Sequence, residues 1–496
     1  MIYIRRDQRL FVVVAVVVFL LFIAALNNDH VRVSVQNKVP QWLKQSDPAY
    51  AGQYQPHEED YIPRPHADSS PPNHHFDTIA NTTAETVIPG GAHAPGFTVF
   101  DRLYLRAGIF YVVTADPSSW PPRRYLLAKP FEMGAGKELE PTDEDLQFIH
   151  PSKAKEILGE FAMRIPDFSV IVHDHWQFMK HYYHWWGEII LGFWRVYSHL
   201  AEGGGRVEDL PFPARFILTV IENDEWRDRA GVDGPFMRAV FPAAAIEKGD
   251  YWKDLIKLNT TVVFERSMLI NRETAHRHPF GSKWYKMIAG TMNVTAPEDY
   301  WAPIRKALAE NLLGYIPELD ANGAVTGPTS IPGVVTTKPV VTYISRQGAG
   351  RRLTDKDHQA LVEALRGLEK EGLCEVQIPM MERMSLADQI ALPMKSTIIV
   401  GVHGNGLTHQ LWMPRSERST VIEIFDPPSY AFDYEMLARN MGHRHYGVQN
   451  DTLLTFPKNE THEGVHYTPG FHGNAIPVYA PAVAQTIRQR LTERIP

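Results

Sequence analysis

The 496-residue chain sets 50 Lys and Arg against 57 Asp and Glu, a formal net charge of -7, with no long basic block, which excludes nucleic acid as a partner. Single cores stop growing near about 250 to 300 residues, so this length at 44% hydrophobic composition predicts two folded domains plus appendages. Cys374 is the only cysteine, so no disulfide forms within the chain, and in the apparent strand "CEVQIP" it reads as a small core residue.

Residues 1–9, "MIYIRRDQR", form a basic N-terminal tail, and 10–26, "LFVVVAVVVFLLFIAAL", carry no charge and no proline. That run is near the lower limit of the roughly 20 residues a spanning helix needs. Arg5, Arg6 and Arg9 precede it, so the positive-inside rule keeps them cytoplasmic and sends everything after Leu26 into the lumen. A retained signal anchor is the favoured reading; a cleaved signal peptide is the other, and both lead to the secretory pathway. The N-x-[ST] sequons at Asn81, Asn259, Asn293, Asn450 and Asn459 fit that destination.

Residues 27–95, as in "IPRPHADSSPPNHH", lack a sustained apolar period and read as a flexible stem. The first domain, 96–320, opens with the antiparallel pattern "GFTVFDRLYLRAGIFYVVT". Strands "FSVIVHD", "RFILTVI" and "TTVVFERSMLI" follow, with a long aromatic helix "HYYHWWGEIILGFWRVYSHL" between the first two and a helix over 298–314. A Gly/Pro/Thr linker, 321–339, leads to a second domain, 340–475, where apolar strands "VVTYISR", "CEVQIP", "STIIVGV" and "STVIEIF" alternate with helices. Strands without polar alternation predict a parallel sheet covered on both faces. Residues 476–496 contain an amphipathic helix expected to pack back on the first domain.

In such sheets ligands bind beyond the carboxyl ends of strands. "GVHGNGLTHQLWMP" (401–414) leaves one such end, and Gly404 and Gly406 would let amides at a helix start approach a phosphate, with His403 beside them. The same glycines also suit a plain strand-to-helix turn, and their order is not the G-x-G-x-x-G of dinucleotide enzymes. "YISRQGAGRRLTDKDH" (343–358) leaves a second strand end with Arg346, Arg351 and Arg352, whose guanidinium groups suit bidentate phosphate contact. Two anion-suited loops on one sheet edge point to a diphosphate. Glu423 in "VIEIFDPP" is a carboxylate in an apolar strand, to be satisfied by ribose hydroxyls or by an arginine.

Together, "ISR", "RR", "HGNGLTHQLWMP" and "VIEI" resemble glycosyltransferase family 61. The resemblance extends to "HYYHWWGEIILGFWRVY", similar to that family's N-Y-x-H-W-x-x-[DE] helix, with His184 and Glu188 in the matching places. His181 stands where the family often has Asn, and Asn405 where it often has Ala. The resemblance implies an α/β chain of two Rossmann-like domains in the GT-B arrangement, behind a transmembrane anchor and stem. It implies an inverting transferase moving xylose, N-acetylglucosamine or arabinose from a UDP-sugar to a glycan or glycoprotein in the Golgi lumen, as a type II membrane protein. Arg346, Arg351, His403 and the amides of Gly404, Asn405, Gly406 and Leu407 would then stabilise the departing diphosphate.

For the base, the candidates are His184 oriented by Glu188, and Asp174 in "HDHW" at another strand end. His184 and Glu188 also fit as polar members of an aromatic helix face whose Tyr183, Trp185 and Trp186 are core or sugar-stacking rings. "DED" (143–145) and "DKD" (355–357) imitate metal-binding D-x-D, but each follows a threonine with helix-capping spacing, so no divalent metal or other cofactor is expected. A noncatalytic lumenal glycan-binding protein that stacks sugars on the Trp and Tyr face is the alternative reading.

Overall fold

The computed structural model describes residues 78–454 and 464–494. The tail, the apolar run 10–26, the stem up to residue 77 and the sequon at Asn459 lie outside the described residues. Among the described residues, no helix is long and apolar enough to cross a membrane.

The first sheet has nine strands: β1 (Ile79–Asn81), β2 (His93–Ala94), β3 (Phe97–Arg106), β4 (Ile109–Val113), β5 (Leu146–Ile149), β6 (Phe161–Val172), β7 (Arg215–Leu218), β8 (Ala245–Glu247) and β9 (Val262–Ile270). Their order is 5-4-3-9-6-7-8, with β1 paired to β6 and β2 to β3. β9, β6, β7 and β8 run parallel, while β3 is antiparallel to both β9 and β4, so the sheet is mixed. Residues 78–95 are therefore not stem. β1 and β2 are hydrogen-bonded into the sheet, and Thr82, Ala92 and Ala94 are buried beneath it.

A short hairpin, β10 (Glu318–Leu319) with β11 (Val325–Gly327), interrupts the linker region. The second sheet contains β12 (Val340–Ile344), β13 (Glu375–Gln377), β14 (Ile398–Val402), β15 (Thr420–Ile424), β16 (Arg444–Gln449) and β17 (Thr452–Leu453), in the order 13-12-14-15-16-17. It is parallel through β16. Successive residues of one strand enter different cores, Ile399 on one face and Val400 on the other, as a sheet clad on both sides requires.

The helix Ala480–Thr492 corrects an expectation. It packs beside helix Asp355–Lys370 on the second sheet, its Val483, Ile487 and Leu491 joining Val341, Val400 and Ile422 in one apolar cluster. Of the two D-x-D strings, "DKD" opens that helix with Thr354 Oγ1 accepting the Asp357 N-H at 3.0 Å, as capping predicts. "DED" does not open a helix: Thr142 and Asp145 close a turn, and the apolar residues that follow pair with β4 as β5.

Helices between the sheets fuse both inner faces into one core. Trp186, Phe236 and Trp412 meet edge to face there, and Trp412 Nε1 donates to Tyr182 Oη at 2.7 Å. Both sheets belong to one compact unit, Phe76–Pro496.

Candidate active site

The aromatic helix begins as a π-helix, Tyr183–Ile190, and continues as the α-helix Leu191–Ser198. Wide turns of this kind recur at functional sites. Trp185 and Trp186 are fully buried and Tyr183 nearly so, which leaves none of them free to stack a sugar. That removes the feature on which the glycan-binding alternative rested.

A cavity of about 320 Å³ opens where this helix meets the carboxyl edge of the second sheet. His181 and His184 line one side, and Arg346, Arg351 and the His403 to Asn405 turn line the other. The two arginines leave the loop after β12 and converge on one atom: Arg346 Nη1 donates to the His403 carbonyl at 2.9 Å and Arg351 Nη1 at 2.8 Å. A single carbonyl cannot balance two guanidinium charges, and the carboxylate that lines the same cavity, Asp433, is already paired with Lys286, so an anion in the cavity would be favoured. Arg351 is also stacked over Phe471 at 4.8 Å and meets His472.

Gly404 explains how the loop admits Arg346. Its φ of 145° lies outside what L side chains adopt readily, and a Cβ there would stand 1.6 Å from Arg346 Nη1. The helix that follows, Asn405–Trp412, is of the 3-10 type. Asn405 Oδ1 accepts the Tyr183 N-H at 3.1 Å, which ties the phosphate-suited turn to the aromatic helix.

Leu407 is not a ligand residue: its side chain is core, accommodated by Gly401, and its N-H is spent on the Gly404 carbonyl at 2.9 Å. Arg352 does not line the cavity either. Its backbone pairs with Gly473 and Ile476 instead.

Glu423 is fully buried and outside the cavity, which corrects its reading as a ribose ligand. Its oxygens meet His403 Nδ1 at 2.5 Å and His445 Nε2 at 2.8 Å. Burial raises the Glu423 pKa and lowers that of His403, so the cluster is favoured uncharged. Glu423 thus holds the His403 ring in place. Glu423→Ala should remove one hydrogen bond from each of two buried imidazoles, at about 1 kcal/mol or more for each bond lost, and lower the urea midpoint accordingly, whereas Glu423→Gln should lose less. A wild-type midpoint in the alanine variant would contradict this role.

Across the cavity, His184 Nδ1 lies 2.6 Å from Glu188 Oε2, and Glu188 is ion-paired to Arg272. Burial works against a charged Glu188, but Arg272 and then His184 outweigh it and hold the carboxyl well below its usual range. An ionised carboxylate only accepts, so the Nδ1-H of His184 donates to it, and Nε2 is the ring nitrogen left to take a proton. Glu188 itself is 1% exposed and reaches the cavity only through His184.

Asp174 is also displaced from a catalytic place. It is not among the residues that line the cavity; it lies 3.3 Å from Arg272 Nε, and burial pushes its carboxyl up to about 6. Its part is to brace Arg272 from the other side. The sequence reading missed Arg272, although "LINRE" places it just past the carboxyl end of β9, the same kind of position that singled out Arg346. It also missed Asp433 and Tyr434, which line the cavity, and Lys286, whose Nζ is 2.9 Å from Asp433 Oδ1. Lys286 sits in an irregular stretch with no sequence signal.

Residues 182–422 match the family model described as Glycosyltransferase 61. The chain carries a glycosyltransferase 61 domain. Within it lie His184, Glu188, Arg272, Arg346, Arg351 and His403, while Glu423 and Asp433 fall beyond its end. The chain is also 32% identical over 125 residues to the EGF domain-specific O-linked N-acetylglucosamine transferase of Drosophila melanogaster. That alignment covers 25% of this chain and 22% of the relative, so it spans about a fifth of that protein's length.

Proposed function

We propose that this glycosyltransferase 61 chain transfers a sugar from a nucleotide-sugar donor to a glycan or glycoprotein, with inversion at the anomeric carbon. The observation that carries the reading is the convergence of Arg346 and Arg351 on the His403 carbonyl in one cavity, with His184 lining the same cavity. The acceptor hydroxyl loses its proton to His184 Nε2 as its oxygen attacks the anomeric carbon. The bond from that carbon to the diphosphate oxygen breaks, and the electron pair leaves with the diphosphate toward Arg346 and Arg351.

The family resemblance favours a UDP-linked sugar, and the name of the Drosophila relative favours N-acetylglucosamine over xylose or arabinose, with a folded protein domain as acceptor. In this reading the second sheet holds the donor and the first the acceptor, as in a GT-B arrangement, and arginines take the place of a metal. Among the described residues no three His, Cys, Asp or Glu side chains are grouped to hold a metal ion. Anchoring by residues 10–26 would place the enzyme in the Golgi lumen, a setting compatible with the exposed positions of Asn81, Asn259, Asn293 and Asn450.

The test is incubation of the full-length chain with a panel of nucleotide sugars and glycan or glycoprotein acceptors. Nucleoside diphosphate release and acceptor glycosylation are expected, at rates unchanged by a chelator. Absence of release from every donor would overturn the enzymatic reading, and loss of turnover in chelator would overturn the arginine-for-metal substitution.

A further inference from the structure

Tyr183, Trp185 and Trp186 are sealed in the core, so the rings that meet solvent near the cavity lie elsewhere. Tyr467 lines the cavity and is 54% exposed, whereas Tyr434 and Phe471, which also line it, are buried. Tyr467 therefore stands at the mouth and the other two rings deeper. Its backbone is a strap pinned past the carboxyl end of β15: Tyr430 and His466 exchange two backbone hydrogen bonds of 2.8 Å, and Thr468 Oγ1 donates to Asp426 Oδ2 at 2.6 Å. All of these residues lie beyond the segment that matches the family model.

Tyr285 lies beside the same opening on the side of the first sheet. The next residue, Lys286, reaches Asp433 on the cavity wall. Tyr285 also meets the edge of His276 at 5.9 Å, a ring that feels the charges of Arg272, Glu188, Lys286 and His184. It ends the helix Pro279–Trp284 with φ 54° and ψ 38°, its N-H donating to the Gly281 carbonyl. That left-handed place ordinarily goes to glycine or asparagine, because other side chains are strained there. Packing does not offset the strain, since Tyr285 is 68% exposed. Strain kept at an exposed ring beside a cavity points to a ligand rather than to the fold.

Both tyrosines adjoin one polar pair. Lys286 follows Tyr285 in sequence, and it is also the first charge felt by Tyr467, whose hydroxyl pKa burial raises. Burial works against a charged Asp433, but Lys286 and then His403 outweigh it and hold the carboxyl below its usual range. Asp433 Oδ1 is taken by Lys286 at 2.9 Å, and the side chain keeps 15% of its surface at the cavity, where a carboxylate accepts hydrogen bonds. Flat apolar faces beside an accepting edge suit a sugar ring, which offers C-H groups on its faces and hydroxyl donors around its rim. A serine or threonine side chain has no such face to lay on a tyrosine.

We infer that Tyr285 and Tyr467 form the acceptor platform, and that the acceptor group bearing the reacting hydroxyl is a saccharide ring, its faces against the tyrosines and its hydroxyls toward Asp433. The inference rests on the transferase reading of the cavity.

The experiment measures transfer by the full-length chain from a panel of nucleotide sugars to methyl glycosides, short oligosaccharides and threonine-containing peptides. Transfer to a saccharide is expected. Tyr467→Ala and Tyr285→Gly should each raise its KM about tenfold, the effect of losing one aromatic contact, with donor KM little changed. Tyr467→Phe keeps the ring and should keep the KM. Tyr285→Gly should melt at or above the wild-type temperature, because glycine adopts the left-handed backbone without strain. A lower melting temperature there assigns the ring to the fold and overturns its place in the platform. An unchanged saccharide KM in both variants overturns the platform, and transfer to peptides but to no saccharide overturns the acceptor class while the transferase reading stands. Absence of nucleoside diphosphate release from every donor sinks that reading and this inference with it.

Discussion

Arg346→Ala is expected to lower turnover by about 10²- to 10³-fold, the usual result of removing one preorganised donor from a developing negative charge. Stability should change little. The His403 carbonyl keeps its bond from Arg351, so no buried acceptor is orphaned, and the net loss should stay within about 1 kcal/mol. Arg346→Lys should not restore the rate, because an ammonium is a point charge and cannot bond the carbonyl and a phosphate through one planar fork. Gly404→Ala tests the same geometry from the other side. Its Cβ would occupy the place of Arg346 Nη1, so it should match the loss in Arg346→Ala while adding backbone strain that lowers the melting temperature. Near wild-type turnover in Arg346→Ala would separate the arginine cluster from the chemistry.

The phosphate-suited side of the site was legible because its signals are local. Arg346, Arg351, His403 and Gly404 sit within a few residues of apolar strand ends, and a parallel sheet brings those ends to one edge. Glu423 was noticed for the same reason, as a charge in an apolar strand, but its partners were out of reach. The register Val421 to His445 that puts His445 beside it exists only once β15 and β16 pair. Contacts of longer range left no trace at all: Arg272 meets Glu188 across 84 positions and Lys286 meets Asp433 across 147.

The start of the folded region was misplaced for a related cause. β1 and β2 contribute three and two residues, too few to show an alternation, and are strands only because β6 and β3 offer them edges. The mixed character of the first sheet was likewise invisible, since apolar periodicity reports burial and not strand direction.

His184→Ala should reduce transfer by about 10²- to 10⁴-fold, the range spanned by general bases, with donor affinity preserved. Its side chain is 22% exposed at the cavity, and without it Glu188 still keeps Arg272 and the Met287 N-H, so the fold should persist. His184→Gln decides between base and structural member of the helix face. Glutamine can keep a hydrogen bond to Glu188 but takes no proton, so a structural role predicts recovery of the rate and a base role predicts none. Glu188 cannot serve in this test. Glu188→Gln leaves the Arg272 guanidinium, 3% exposed, with only Asp174 to balance it, and breaking such a buried pair costs about 3 to 5 kcal/mol. The two substitutions should therefore divide cleanly: a folded, donor-binding, inactive protein for His184→Gln, and a protein with a much lower unfolding midpoint for Glu188→Gln. Wild-type transfer by His184→Gln would assign the proton to another group lining the cavity, with His181 the next imidazole to remove.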